Sequence, residues 1–134
     1  MSITIHTDGG SRSNPGPAGI GVHATRDGTI IFTVSEFLGS QTNNFAEYTA
    51  VIRALETCLE KKLTDENIHF YMDSKLVVEQ VQGNWKVKEP TLRPLVARVH
   101  ELIKLFPEVT FTHVRREYNK DADALANEAM DRAQ

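Results

Sequence analysis

The hydrophobic period of this chain first changes close to Thr42, and that change leaves few folds open. Before it, apolar and polar residues alternate as in half-buried strands, with Ile3, Ile5 and Thr7 set against Thr4, His6 and Asp8. Two further strand-like stretches, around residues 19–25 and 29–38, flank Asp27-Gly28, a dipeptide suited to a two-residue hairpin. Residues 9–17 are rich in Gly and Pro and read as a loop. After the change, Phe45, Tyr48, Ile52, Leu55 and Leu59 recur at helical spacing. Thr42, Asn43 and Asn44 stand just before them, where a helix needs a cap.

Strands and helices then alternate. Residues 68–72 read as a buried strand, 74–81 as a helix and 83–90 as a connecting loop. Leu92, Leu95, Val96, Val99, Leu102 and Ile103 mark an amphipathic helix that stops at Phe106-Pro107. Residues 109–114 form the fifth strand, and Ala122, Leu125, Ala126, Ala129 and Met130 line one face of a last helix. The order β-β-β-α-β-α-α-β-α predicts an α/β fold. Its mixed five-stranded sheet has three antiparallel strands followed by parallel ones, with helices on its faces. The crossovers are expected to be right-handed.

With 134 residues, one domain spanning 1–134 is expected. A composition of 40% apolar and 25% charged residues excludes a wholly disordered chain. No apolar stretch approaches the length of a membrane span, and the N-terminus carries no secretory signal. Cys58 is the single cysteine, so an intramolecular disulfide and a multi-thiolate zinc site are both excluded. A cytoplasmic monomer with no membrane association and no obligate protein partner is the expectation. The formal charge of −3 means that any nucleic acid must be held by a local patch or by bridging cations.

Four acidic residues occupy chemically interesting places. Asp8 closes the first predicted strand, and Asp73 follows the strand that ends at Met72. Glu47 falls in the first turn of the first helix, and Asp123 near the start of the last. In open α/β sheets the ligand crevice lies outside the carboxyl ends of the strands, so the four carboxylates have a common edge available. Gathering them there requires cations. Hard oxygen ligands without a thiolate or histidine cluster suit Mg²⁺ or Mn²⁺. Two such ions are the usual device for in-line phosphodiester cleavage. A plainer reading stands beside this one: acidic groups near helix N-termini answer the helix dipole, and Asp at strand ends makes turns.

Taken together, the motifs resemble type 1 ribonuclease H. The matching pieces are Thr7-Asp8-Gly9-Gly10-Ser11 with Asn14-Pro15-Gly16-Pro17, Thr42-Asn43-Asn44-Phe45-Ala46-Glu47, Met72-Asp73-Ser74, and Ala122-Asp123-Ala124-Leu125-Ala126. Their order and spacing run through almost the whole chain. The resemblance implies endonucleolytic hydrolysis of the RNA strand of an RNA–DNA hybrid, leaving a 3′-hydroxyl and a 5′-phosphate. It implies that Asp8, Glu47, Asp73 and Asp123 bind two Mg²⁺ ions, with Mn²⁺ as substitute. It assigns Asn14, Asn43 and Asn44, with Gly9 and Ser11 of the first motif, to the hybrid. It assigns Thr42 to a pocket for a DNA-strand phosphate. Neutral amides suit a 2′-hydroxyl, since they donate and accept. Read alone, Asn14 only makes a turn, and Asn43 and Asn44 only cap a helix.

The chain also departs from the family. Trp85-Lys86-Val87-Lys88-Glu89 leads almost directly into the next helix, where many bacterial members carry a basic handle that grips the hybrid. Trp85 and Lys86 either form a reduced contact patch or serve as a core anchor with a solvated lysine. The histidine that many members carry before the last aspartate has no counterpart here, because His113 lies too early. Arg116 is similar to an arginine that handle-less members use there. Its alternative is surface pairing with Glu117. Cys58, Tyr71 and Met72 read as core residues. A protein that binds hybrid without cutting it is the competing reading.

Overall fold

The computed structural model describes Met1–Ala133. Five strands form one sheet in the order β3-β2-β1-β4-β5. They are β1 (Ser2–Ser11), β2 (Gly16–Arg26), β3 (Thr29–Gln41), β4 (Asn67–Met72) and β5 (Val109–His113). The helices are α1 (Asn43–Glu60), α2 (Lys75–Val81), α3 (Arg93–Ile103) and α4 (Lys120–Arg132). A short 3-10 turn covers Arg116–Tyr118. β1, β2 and β3 pair antiparallel, whereas β1–β4 and β4–β5 are parallel. The order of elements along the chain and the strand directions are those expected from the sequence pattern. No helix among the described residues is long and apolar enough to cross a membrane.

The alternation of β1 divides the molecule into two layers. Ile3 and Ile5 join α1, α2 and α3 in the main core, with Tyr48, Leu55, Phe70, Val77, Val99 and Leu102. The opposite face of β2 receives α4, whose buried residues are Ala122, Ala126, Ala129 and Met130. Asp27 and Gly28 both take positive φ, at 51° and 79°, as a tight two-residue hairpin requires.

One expectation fails instructively. Residues 9–17 are not a loop throughout: β1 continues to Ser11 and β2 begins at Gly16. The ladder runs unbroken through Gly9↔Ile20, Gly10↔Gly19 and Ser11↔Ala18. Helices lie so close to this part of the sheet that side chains cannot fit. A Cβ on Gly9 would come within 2.4 Å of the Ala46 carbonyl in α1, and one on Gly21 within 2.0 Å of the Ala122 carbonyl oxygen in α4. Gly9 and Gly21 therefore mark helix–sheet contact, not loss of strand. Tyr71 is a smaller correction: it is only half-buried and stacks on His6, with ring centroids 5.4 Å apart. Cys58 and Met72 are buried.

Candidate active site

The parallel pairing of β1 with β4 ends at Thr7↔Met72. The next residue on each strand is a carboxylate, Asp8 and Asp73, so two acids stand side by side where that ladder stops. Asp8 does not close its strand, because β1 runs on beside β2. It lies instead one residue past the parallel part of the sheet. α1 supplies Glu47, one turn further in than expected, since the helix starts at Asn43 and has no acid in its first turn. That position removes the helix-dipole explanation for Glu47. Ligand oxygens of Asp8, Glu47 and Asp73 all lie within 4.8 Å of one another. α4 brings Asp123 in its first turn, with its carboxylate in hydrogen-bond contact with Asp8. Three of the four acids thus form one tight group, and the fourth borders it.

The electrostatics match this crowding. Burial above all, then the hydrogen bond to Asp123 and the charge of Asp73, push the Asp8 carboxyl up to about 8. Burial, followed by the charges of Asp8 and Asp73, raises Glu47 well above the usual carboxylate range. The Gly9 N–H opposes both shifts without cancelling them. Glu47 Oε2 is buried and has no hydrogen-bond partner. An acceptor-only oxygen in that state, among other carboxylate oxygens and without histidine or thiolate, fits a hard divalent cation. The Asp8–Glu47–Asp73 group therefore has the spacing and donor chemistry to hold a metal ion.

The cleft over these acids encloses about 310 Å³, and Ser11, Asn43 and Arg116 are among the other residues that line it. One side is held by a hydrogen-bond relay. The Ser11 N–H donates to Asn43 Oδ1 at 2.8 Å, and the Asn43 N–H donates to Asn14 Oδ1 at 3.0 Å. Both side-chain carbonyls are thus engaged, while neither amide NH₂ donates to another described residue. A fixed acceptor and an open donor coexist in these asparagines. Thr42 alone caps α1, accepting from the Phe45 N–H at 3.2 Å, whereas Asn43 and Asn44 are already helical. Thr42, Asn14 and Asn44 line a second depression with Glu89 and Thr91.

Trp85 is 44% exposed, which removes the core-anchor reading. With Asn44, Lys86 and Lys88 it lines a groove of about 580 Å³ formed by the start of α1, α2 and the segment that joins α2 to α3. No helix intervenes between Val81 and Arg93, so the segment that joins α2 to α3 carries no handle. Arg116 does not pair with Glu117. Arg115 does, at 3.6 Å, and Arg116 Nη2 instead lies 3.8 Å from Asp123 Oδ1 with its side chain 80% exposed.

Three residues near the cleft escaped the sequence reading. Asn119 is buried and donates through Nδ2 to the Thr7 carbonyl at 2.8 Å, which ties the start of α4 to β1 beside Asp8. An Asn just before a helix reads as a cap, and nothing in the pattern shows that its side chain turns to the sheet instead. Arg12 and Asn127 also line the cleft. They sit in a glycine-rich stretch and on a helix flank, where no spacing singles them out.

Comparisons with known proteins agree with this architecture. A protein-family model described as reverse transcriptase-like matches residues 6–129. A bifunctional protein of Mycobacterium tuberculosis is 42% identical over 99% of this chain, which spans 36% of that protein. A ribonuclease HI of Halobacterium salinarum is 45% identical over 98% of the chain, which spans 65% of it. The chain is thus shorter than two thirds of these curated relatives. The crystal structure of LC11-RNase H1 in complex with an RNA/DNA hybrid superimposes with a TM-score of 0.93 at 47% identity. That match covers 98% of this chain and 99% of the other.

Proposed function

The chain belongs to the ribonuclease H family, and from that membership we propose that it is an endonuclease that hydrolyses the RNA strand of RNA–DNA hybrids. The observation that carries the proposal is the convergence of Asp8, Glu47 and Asp73 within 4.8 Å, beside a cleft edged by Asn43. The similar LC11-RNase H1, solved with an RNA/DNA hybrid, supports the substrate class.

Asp8, Glu47, Asp73 and Asp123 would hold two Mg²⁺ ions, with Mn²⁺ as substitute. Bound there, the ions would supply Lewis acidity at the scissile phosphate and lower the pKa of the attacking water. The protein's own work is positioning and recognition. Asn14 and Asn43 present amide donors whose carbonyl ends are already fixed, so they meet the minor-groove edge of the hybrid without reorganising. Asn44 joins them from the first turn of α1. Gly9 and Ser11 line the cleft that receives the strand that is cut. Thr42 keeps its capping bond and lines the depression proposed to take a DNA-strand phosphate. Trp85 and Lys86 give the DNA strand a flat apolar face and a cation in the groove beside α2. Arg116 binds phosphate, and being permanently charged it moves no proton near neutral pH. The products are a 3′-hydroxyl and a 5′-phosphate.

A substrate panel tests the proposal. RNA–DNA hybrid, double-stranded RNA and double-stranded DNA of one sequence are incubated with Mg²⁺ and, separately, Mn²⁺. Only the RNA strand of the hybrid is expected to be cut. Comparable cleavage of duplex DNA would remove the 2′-hydroxyl role of the asparagines. Hybrid binding without cleavage in either metal would replace the enzyme by a binding protein.

A further inference from the structure

The cleft that must accept a polyanion is lined by four carboxylates, and among the described residues only two cations line it with them, Arg12 and Arg116. Both guanidiniums sit against a carboxylate, but the two carboxylates differ in kind. Arg116 faces Asp123, which belongs to the proposed metal site. Arg12 faces Asp131 at 2.6 Å, and Asp131 does not line the cleft. Asp131 lies on the last turn of α4 with its side chain 66% exposed, so solvent screens the pair. Arg12 also reaches the Asn127 carbonyl at 3.3 Å, while Asn127 Nδ2 donates to the Asp123 carbonyl at 3.0 Å. The guanidinium is thereby held along the same helix that carries Asp123, one residue after Ser11 and two before Asn14.

We propose that Arg12 binds a phosphate of the RNA strand beside the carboxylate cleft, and that Asp131 occupies its guanidinium until that phosphate displaces it. The inference rests on the hybrid-cleaving reading above. The chemistry favours the exchange. A phosphate oxygen pair accepts the planar fork of an arginine as well as a carboxylate does. A largely solvated carboxylate gives up its partner at small cost. The segment between α2 and α3 carries no basic handle, so a cation inside the cleft has more of the strand's charge to answer.

A purely structural latch from the first loop to α4 would use the same contacts, and Asp131 separates the two roles. Steady-state cleavage of hybrid is measured across a salt series for the unaltered protein, Arg12→Ala, Arg12→Lys and Asp131→Asn. Phosphate binding predicts that Arg12→Ala raises KM about tenfold and lowers the magnitude of the log–log salt slope by about 1. Arg12→Lys should restore the slope but only part of KM, since a point charge lacks the fork. Asp131→Asn should lower KM, because it removes the competing anion. A rise in KM with Asp131→Asn that parallels Arg12→Ala, at unchanged slope, would overturn the inference in favour of the latch. If the unaltered protein cleaves hybrid while Arg12→Ala changes neither KM nor slope, the inference alone falls. If the unaltered protein cleaves no hybrid, both readings fall.

Discussion

Asp8 is buried among other carboxylates, and its proton affinity records what that costs. Its pKa rises from the ordinary 3.8 to about 8, so the folded protein holds this proton more tightly than the unfolded chain does. The stability that follows is fully present below the unfolded value and is lost as pH rises through about 8. Metal-free protein is therefore expected to melt on the order of 5 °C higher at pH 5.5 than at pH 8.5. Adding Mg²⁺ should raise the melting temperature more at pH 8.5, where proton and cation no longer compete. Calorimetry in chelator and in Mg²⁺ checks both. A pH-independent metal-free melting temperature would contradict the electrostatic account. Asn119 acts at the same scale through a neutral bond. Removing its donor to Thr7 with Asn119→Ala leaves a buried carbonyl unpaired, and a loss of about 1–3 kcal/mol is expected by denaturant unfolding. None of this is visible in the residue string, because burial and proximity arise only when β1, β4, α1 and α4 meet.

At the scale of elements, helix-to-sheet distance sets the site. α4 approaches β2 closely enough that Asp123 reaches Asp8, and Gly21 is what permits the approach. Gly21→Ala must push α4 off the sheet. A loss of about 3 kcal/mol is expected, together with a fall in kcat larger than that caused by an equally destabilising core substitution far from the cleft. Equal falls would mean that the spacing of α4 does not matter to the site. Much at this scale was legible. Alternation marked β1, Asp27-Gly28 marked the hairpin, and the recurrence of Phe45, Tyr48, Ile52 and Leu55 marked α1. What misled was glycine. In Gly9 the local signal is loop-like, while the actual cause is a helix lying against an intact strand. Trp85 stayed open between contact patch and core anchor, because sequence does not show the solvent side of a groove, and its exposure decides for the patch.

The whole molecule is an acidic chain proposed to bind an acidic polymer. It carries 18 acids against 15 bases, and no basic handle lies between α2 and α3. Affinity must come from cations in the cleft, the short Lys86 and Lys88 patch, and neutral contacts from Asn14, Asn43 and Asn44. The order of motifs made this molecular plan readable from sequence. Their convergence was not readable, because four acids separated by up to 115 positions share no local pattern. The most direct measurement is end-group analysis of the products from a hybrid with a labelled RNA strand. It is made in chelator, after return of Mg²⁺, and with Asp73→Asn. The account predicts internal RNA fragments bearing 5′-phosphate and 3′-hydroxyl, formed only with the metal. With Asp73→Asn they should be reduced at least about a thousandfold, a loss of about 4 kcal/mol in transition-state stabilisation. Cleavage that persists in chelator, or that survives Asp73→Asn, would contradict it.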